Sequence, residues 1–263
     1  MVPLLGVAAS AAGSIRSDTF ALKRKLSALV FSAGMIIGLA LLLFSTVTTH
    51  AHADSPRPSF LRSLESRSSD LSRFVRWTTV IARTAEEMAR ASSGSADCRG
   101  PGTASCRYQE WRQFLHSLRG RSRWEQLVAV NGYVNARAYV PDENNWKMQD
   151  HWSTPGEFFA RSGDCEDFAI TKFYSLKHLG WTDDELRIAA VKDLKLGVGH
   201  AVLVVFLADT AWLLDNRMGH VTDLETIRHY QPVYSINESH WWVHRKNEHA
   251  DELGLSVASH SLR

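Results

Sequence analysis

The feature that most constrains the fold is a change of texture near Thr182. Upstream, apolar residues recur at spacings near three and four. Downstream they come in short runs, LRIAAVKDL, HAVLVVFLA, AWLLDN, PVYSIN and WWVHR, divided by polar turns. The first spacing is that of amphipathic helices and the second that of strands. Helices and strands segregated in this way predict an α+β domain, a helical half packed on an antiparallel sheet.

In the helical half, the stretch from Leu64 to about Ala91 reads as one or two amphipathic helices. YQEWRQFLHSLRG (108–120) and SRWEQLVAVNGYVNARAYV (122–140) read as two more. The segment 141–163 is mostly irregular, with a short helix at PGEFFAR that Ser153 or Thr154 can cap and that carries proline in its first turn. A further helix runs from about Cys165 to Leu179, with Gly180 as its C-cap. No internal repeat is present.

The amino-terminal part has another character. Lys23, Arg24 and Lys25 lead into about 20 apolar or small residues and then into THAHA, with small residues at 51 and 53. That order predicts a signal peptide cleaved after Ala53 and a mature chain exported to the periplasm. The alternative is retention as an inner-membrane anchor through residues 26–45. The expected organisation is therefore 1–53 as a targeting or anchoring segment and 54–263 as one domain, ordered from about 64 to 248. Removing the four basic and one acidic residues of 1–53 from the 30 and 28 of the whole chain leaves 26 and 27, a net charge of −1. A chain without a strong basic field has no electrostatic footprint for nucleic acid. Of the three cysteines, Cys98 and Cys106 flank RGPGTAS and either bridge or stay reduced, and Cys165 is the one left over.

Cys165 lies in SGDCEDF, between Asp164 and Glu166 at the expected start of a helix. Helix N-terminal N–H groups favour a thiolate, whereas adjacent carboxylates oppose it. His200 opens an apolar strand after LGVGH, and Asp215 ends the next one in LLDN. A turn at Asp209 and Thr210 would fold these strands together and bring His200 to Asp215. Cys165, His200 and Asp215 then supply a nucleophile, a base and an orienting carboxylate for thiol acyl chemistry. Inert packing of a buried cysteine is the bland alternative.

The run WSTPGEFFARSGDCEDFAITKFYSLKHLG, followed by HAVLVV, LLDN and PVYSIN…WWVH, resembles the bacterial transglutaminase-like cysteine proteinases over roughly residues 120–245. The resemblance implies a papain-like, transglutaminase-like fold, with Cys165, His200 and Asp215 as the catalytic residues. It also implies calcium beside the nucleophile, with Asp164 and Glu166 as ligands. Oxygen ligands suit this hard cation, and its charge would offset the carboxylates that oppose a thiolate. Two carboxylates are too few for a calcium shell, so Asp150, Asp167, Asn144 and Asn145 are further candidates. The implied substrate is the amino-terminal region of a large repeat-containing surface adhesin, cut between two alanines. The implied partner is the periplasmic domain of an inner-membrane cyclic di-GMP receptor, which would tie cleavage to biofilm detachment. A transglutaminase-like acyl transferase and a catalytically inactive scaffold of the same fold are the rival readings. Trp152, just before the TPGEF turn, is a candidate for the wall of the substrate groove as well as for the core. His240 and His244 flank Trp241 and Trp242 in a strand, and without H-E-x-x-H they make no zinc site.

Overall fold

The computed structural model describes residues 60–92 and 103–247. The apolar segment at 26–45 and Cys98 lie outside these residues; Cys106 is disulfide-bonded. After a strand, β1 (Leu64–Ser68), come helices α1 (Val75–Ser92), α2 (Ala104–Ser117), α3 (Arg123–Asn135), the single turn α4 (Asp142–Asn145), α5 (Pro155–Arg161) and α6 (Cys165–His178). Strands β2 (Leu186–Asp193), β3 (Val198–Leu207), β4 (Thr210–Leu214), β5 (Thr222–Asp223), β6 (Tyr230–Ile236) and β7 (Trp241–Arg245) follow. The α+β architecture holds: a helical region packs against an antiparallel seven-stranded sheet. Among the described residues no helix is long and apolar enough to cross a membrane.

One expectation fails at its start. Leu64–Ser68 is a strand, β1, and the helix begins only at Val75. The sequence LESRS has no strand texture of its own. Its place is set by antiparallel pairing with β7, and by Glu65, whose two carboxylate oxygens both accept from Nη1 of Arg187 at 3.0 Å. Tertiary partners override local pattern here. The sheet order is β1-β7-β6-β2-β3-β4-β5.

Residues from both faces of the sheet are buried, which explains the nearly continuous apolar run of β3. Leu203 and Val205 join Trp77, Trp111, Phe158, Phe168 and Phe173 in the core beneath the helices. Val202, Val204 and Phe206 face the other way, into a second cluster with Phe60, Leu213, Ile227 and Tyr230. Helix α6 packs on β3 and on α3, so its first turn meets the start of that strand.

Local chemistry fixes the approach to α6. Thr154 caps α5 through a capping box with Glu157, and Glu87 of α1 accepts from the Thr154 hydroxyl at 2.6 Å and from Gly156 N–H at 2.8 Å. Ser153, the other capping candidate, gives its N–H to Asp167 instead, at 2.6 Å. Helix α6 ends with Leu179 as its cap, and Gly180 follows at φ +89°, a left-handed conformation that glycine adopts without steric cost.

Candidate active site and acidic cluster

Cys165 opens α6 and is a free, partly buried thiol. His200 and Asp215 are both buried, with Nε2 of the imidazole 2.9 Å from Oδ1 of the carboxylate. The hairpin turn lies at 208–209, with Leu207 opposite Thr210 and Leu203 opposite Leu214. Asp215 is held on every side. Its second oxygen accepts from the Tyr230 hydroxyl at 2.7 Å, its first also accepts from Arg217 N–H at 2.9 Å, and its carbonyl accepts from the Asn135 amide at 2.8 Å. Burial would raise its pKa, but the bonds from His200, Arg217 and Tyr230 outweigh burial and keep it below the usual carboxylate value.

Nδ1 of His200 is buried and makes no hydrogen bond. The Cys165 thiol does not fill that vacancy: its Sγ donates to Glu166 Oε2 at 3.2 Å. The N–H of Ala201, the residue after His200, lies where it favours a negative charge on the sulfur. Burial first, and then the Glu166 charge and hydrogen bond, push the thiol pKa up, against the smaller opposing effect of the Ala201 N–H. As it stands, the first turn of α6 holds a protonated thiol.

The acids around it are crowded. Asp142, Asp164 and Asp167 each offer an oxygen within 4.8 Å of the others, and Asp142, Asp150 and Glu166 form a second such group. Asp164 occupies the N-cap position of α6, yet its side chain makes no capping bond, and its buried Oδ1 has no partner. Asp142 also has a buried oxygen, Oδ1, without a partner. Burial, reinforced by the Glu166 charge, pushes Asp164 up to about 9. Asp167 is raised by burial despite its two bonds from Ser153, and Asp142 is raised by burial as well. Buried carboxylates with orphaned oxygens, crowded against one another, suit a divalent oxygen-seeking cation.

Sequence reasoning missed Asp142. It lies 23 positions before Cys165 and reaches the cluster through a local pairing, Tyr139 bridging Gly163 with Val140 N–H bonded to Gly163 O at 2.8 Å. A Cβ on Gly163 would run into the Asp167 carboxylate, so glycine permits this approach. Tyr139 stands beside the site: burial first, then the Cys165 and Asp164 charges, push its pKa up to about 12. Asp150 is tied to the Trp152 indole at 2.9 Å and to Arg76 at 3.2 Å. Of the looser candidates, Asn145 spends its amide on Ser162 O. Trp152 is half-buried, touches the core edge-on to Trp77, and lines a cavity of about 390 Å³ with Arg76, Met148 and His151. Two other residues carried no signal: Tyr230, and Lys172, whose buried ammonium makes no hydrogen bond and whose pKa burial lowers to about 7.

The family profile described as bacterial transglutaminase-like cysteine proteinase, BTLCP, matches residues 95–250. Among solved structures, Legionella pneumophila LapG in an EGTA-treated form is 29% identical, with TM-score 0.53, over 61% of this chain and 86% of that one. A calcium-bound form of LapG from the same organism is 27% identical, with TM-score 0.52, over 62% and 91%. Among curated proteins no match is found.

Proposed function

The chain belongs to the bacterial transglutaminase-like cysteine proteinases, and from that premise we propose that it is a calcium-dependent cysteine endopeptidase acting on a large surface adhesin. Cys165 attacks the scissile carbonyl, and the His200 imidazole takes the thiol proton on Nδ1 while Asp215 holds the ring through Nε2. The proton passes from His200 to the leaving amine, and the acyl group stays on sulfur. Water deprotonated by His200 then releases the second product. The Cys165 N–H at the start of α6 would help to receive the oxyanion. The observation that carries this reading is the His200–Asp215 pair, whose ring keeps a buried nitrogen, Nδ1, without a partner, next along the chain to Ala201, whose N–H favours a negative charge on the Cys165 sulfur.

Asp142, Asp164, Glu166 and Asp167, with Asp150, would hold the cation. A calcium ion held there would supply charge neutralisation, and Glu166, engaged with it, would no longer oppose the Cys165 thiolate. The LapG of Legionella pneumophila, solved both calcium-bound and after EGTA, supports that assignment. Resemblance alone suggests the finer points: export to the periplasm through residues 1–53, cleavage at a di-alanine step in the adhesin's amino-terminal region, and sequestration by the periplasmic domain of an inner-membrane cyclic di-GMP receptor. The test is cleavage of an amino-terminal adhesin fragment from the same organism. Cutting with calcium, lost with chelator and in Cys165→Ala, is expected. A fragment that stays whole while an amine is joined to it would replace the protease by an acyl transferase.

A further inference from the structure

A cavity of about 410 Å³ opens where the chain before β1, the turn after β2, the loop entering β6 and the end of β7 meet. Arg62, Arg228, Arg245 and Lys246 enter its wall, and no aspartate or glutamate does. Two of the guanidinium groups are pinned together. Arg62 and Arg228 both donate to Glu225 O, at 3.2 and 2.6 Å, which holds the bonding nitrogens at most about 6 Å apart. The Glu225 side chain is outside the lining. Among the described residues, Arg62, Arg228 and Arg245 form no ion pair. Like charges placed this close repel unless an anion lies between them, and a guanidinium with unused donors is shaped to grip one.

We propose that this cavity binds a phosphate-bearing anion. Three guanidinium groups around one space match a multiply charged group better than a single carboxylate, and Arg forks fit its oxygens in pairs. Leu194 and Ile227 add apolar wall, so an organic phosphate is favoured over a bare ion. A lipid headgroup and a soluble phosphate ester share this chemistry. The buried Tyr230 forms part of the same wall and bonds through its hydroxyl to Asp215, so the cavity stands back to back with the candidate active site.

The test is calorimetric titration of the purified protein with inorganic pyrophosphate, paired with sedimentation on phosphatidylglycerol and on phosphatidylcholine vesicles. The proteins compared are wild type, Arg62→Gln/Arg228→Gln and Arg245→Gln. All three positions are exposed, so both variants should keep the wild-type melting curve. Saturable pyrophosphate binding, weakened at least tenfold in the double variant, is expected for a soluble ester. Retention only on phosphatidylglycerol, lost in the double variant, assigns the site to a headgroup. Binding that is absent in both arms, or that is undiminished in the variants, overturns the proposal.

Discussion

Glu166 is one residue from Cys165 and works against it. Its carboxylate accepts the thiol proton's hydrogen bond and adds negative charge to a sulfur that burial already keeps protonated. Removing that charge at constant shape should favour the thiolate, though only in part, because burial is the larger cause. We expect Glu166→Gln to raise the rate of iodoacetamide labelling of Cys165 several-fold at pH 8 in chelator, read by mass spectrometry. Calcium should accelerate labelling of the wild type and leave the variant nearly unchanged. Equal rates in chelator would mean that the acid is too well solvated to oppose the thiolate. The pair DCED made both sides of this contest legible in the sequence. Asp142 and Tyr230 were not legible, because each reaches the site through contacts among separate segments and neither carries a motif.

Strand β1 shows how far an element can depend on distant partners. Its five residues are mostly exposed, and it pairs only with β7 at the edge of the sheet. The anchor is Arg187 on β2, nearly buried, stacked 3.7 Å from the Trp242 ring centroid and held by Glu65. Removing one partner of such a pair strands a buried charge, whereas replacing both with apolar residues is often nearly neutral. Glu65→Ala should therefore cost about 2 kcal/mol in urea unfolding, discounted because Glu65 is partly exposed, and Glu65→Leu/Arg187→Met should recover most of that loss. A double variant as unstable as the single would place the stability in the stacking of Arg187 on Trp242. This also explains where element-level reading succeeded. The long strands β2 and β3, and helix α6, carry their own period. The five-residue β1 and two-residue β5 borrow theirs from neighbours, so a reading by periodicity turned β1 into helix and passed over β5.

At the scale of the molecule, the acidic cluster joins segments that are otherwise separate: the loop after α3, the turn before α5 and the first turn of α6. With no cation, Asp142, Asp164 and Asp167 bind protons more tightly folded than unfolded. Asp164 is raised to about 9 from an ordinary value of 3.8, and Asp167 and Asp142 move the same way. Folded protein thus holds more protons than unfolded protein across that window, and stability in chelator should fall as pH rises from about 4 towards 9. Calcium binds the deprotonated set, so its stabilisation should grow over the same range. A free concentration one hundred times the dissociation constant adds about 2.7 kcal/mol, which for a domain of this size is roughly 5 to 10 °C in Tm. Melting curves in calcium and in chelator at pH 5 and pH 8 should show a gap that is small at the lower pH and widens at the higher. A gap that is absent, or the same at both values, would mean that Asp142, Asp164 and Asp167 hold no cation and are kept neutral by burial alone. The orphaned oxygens of Asp142 and Asp164 would then need ordered water, and the thiol would have to be activated by His200 against the full charge of Glu166.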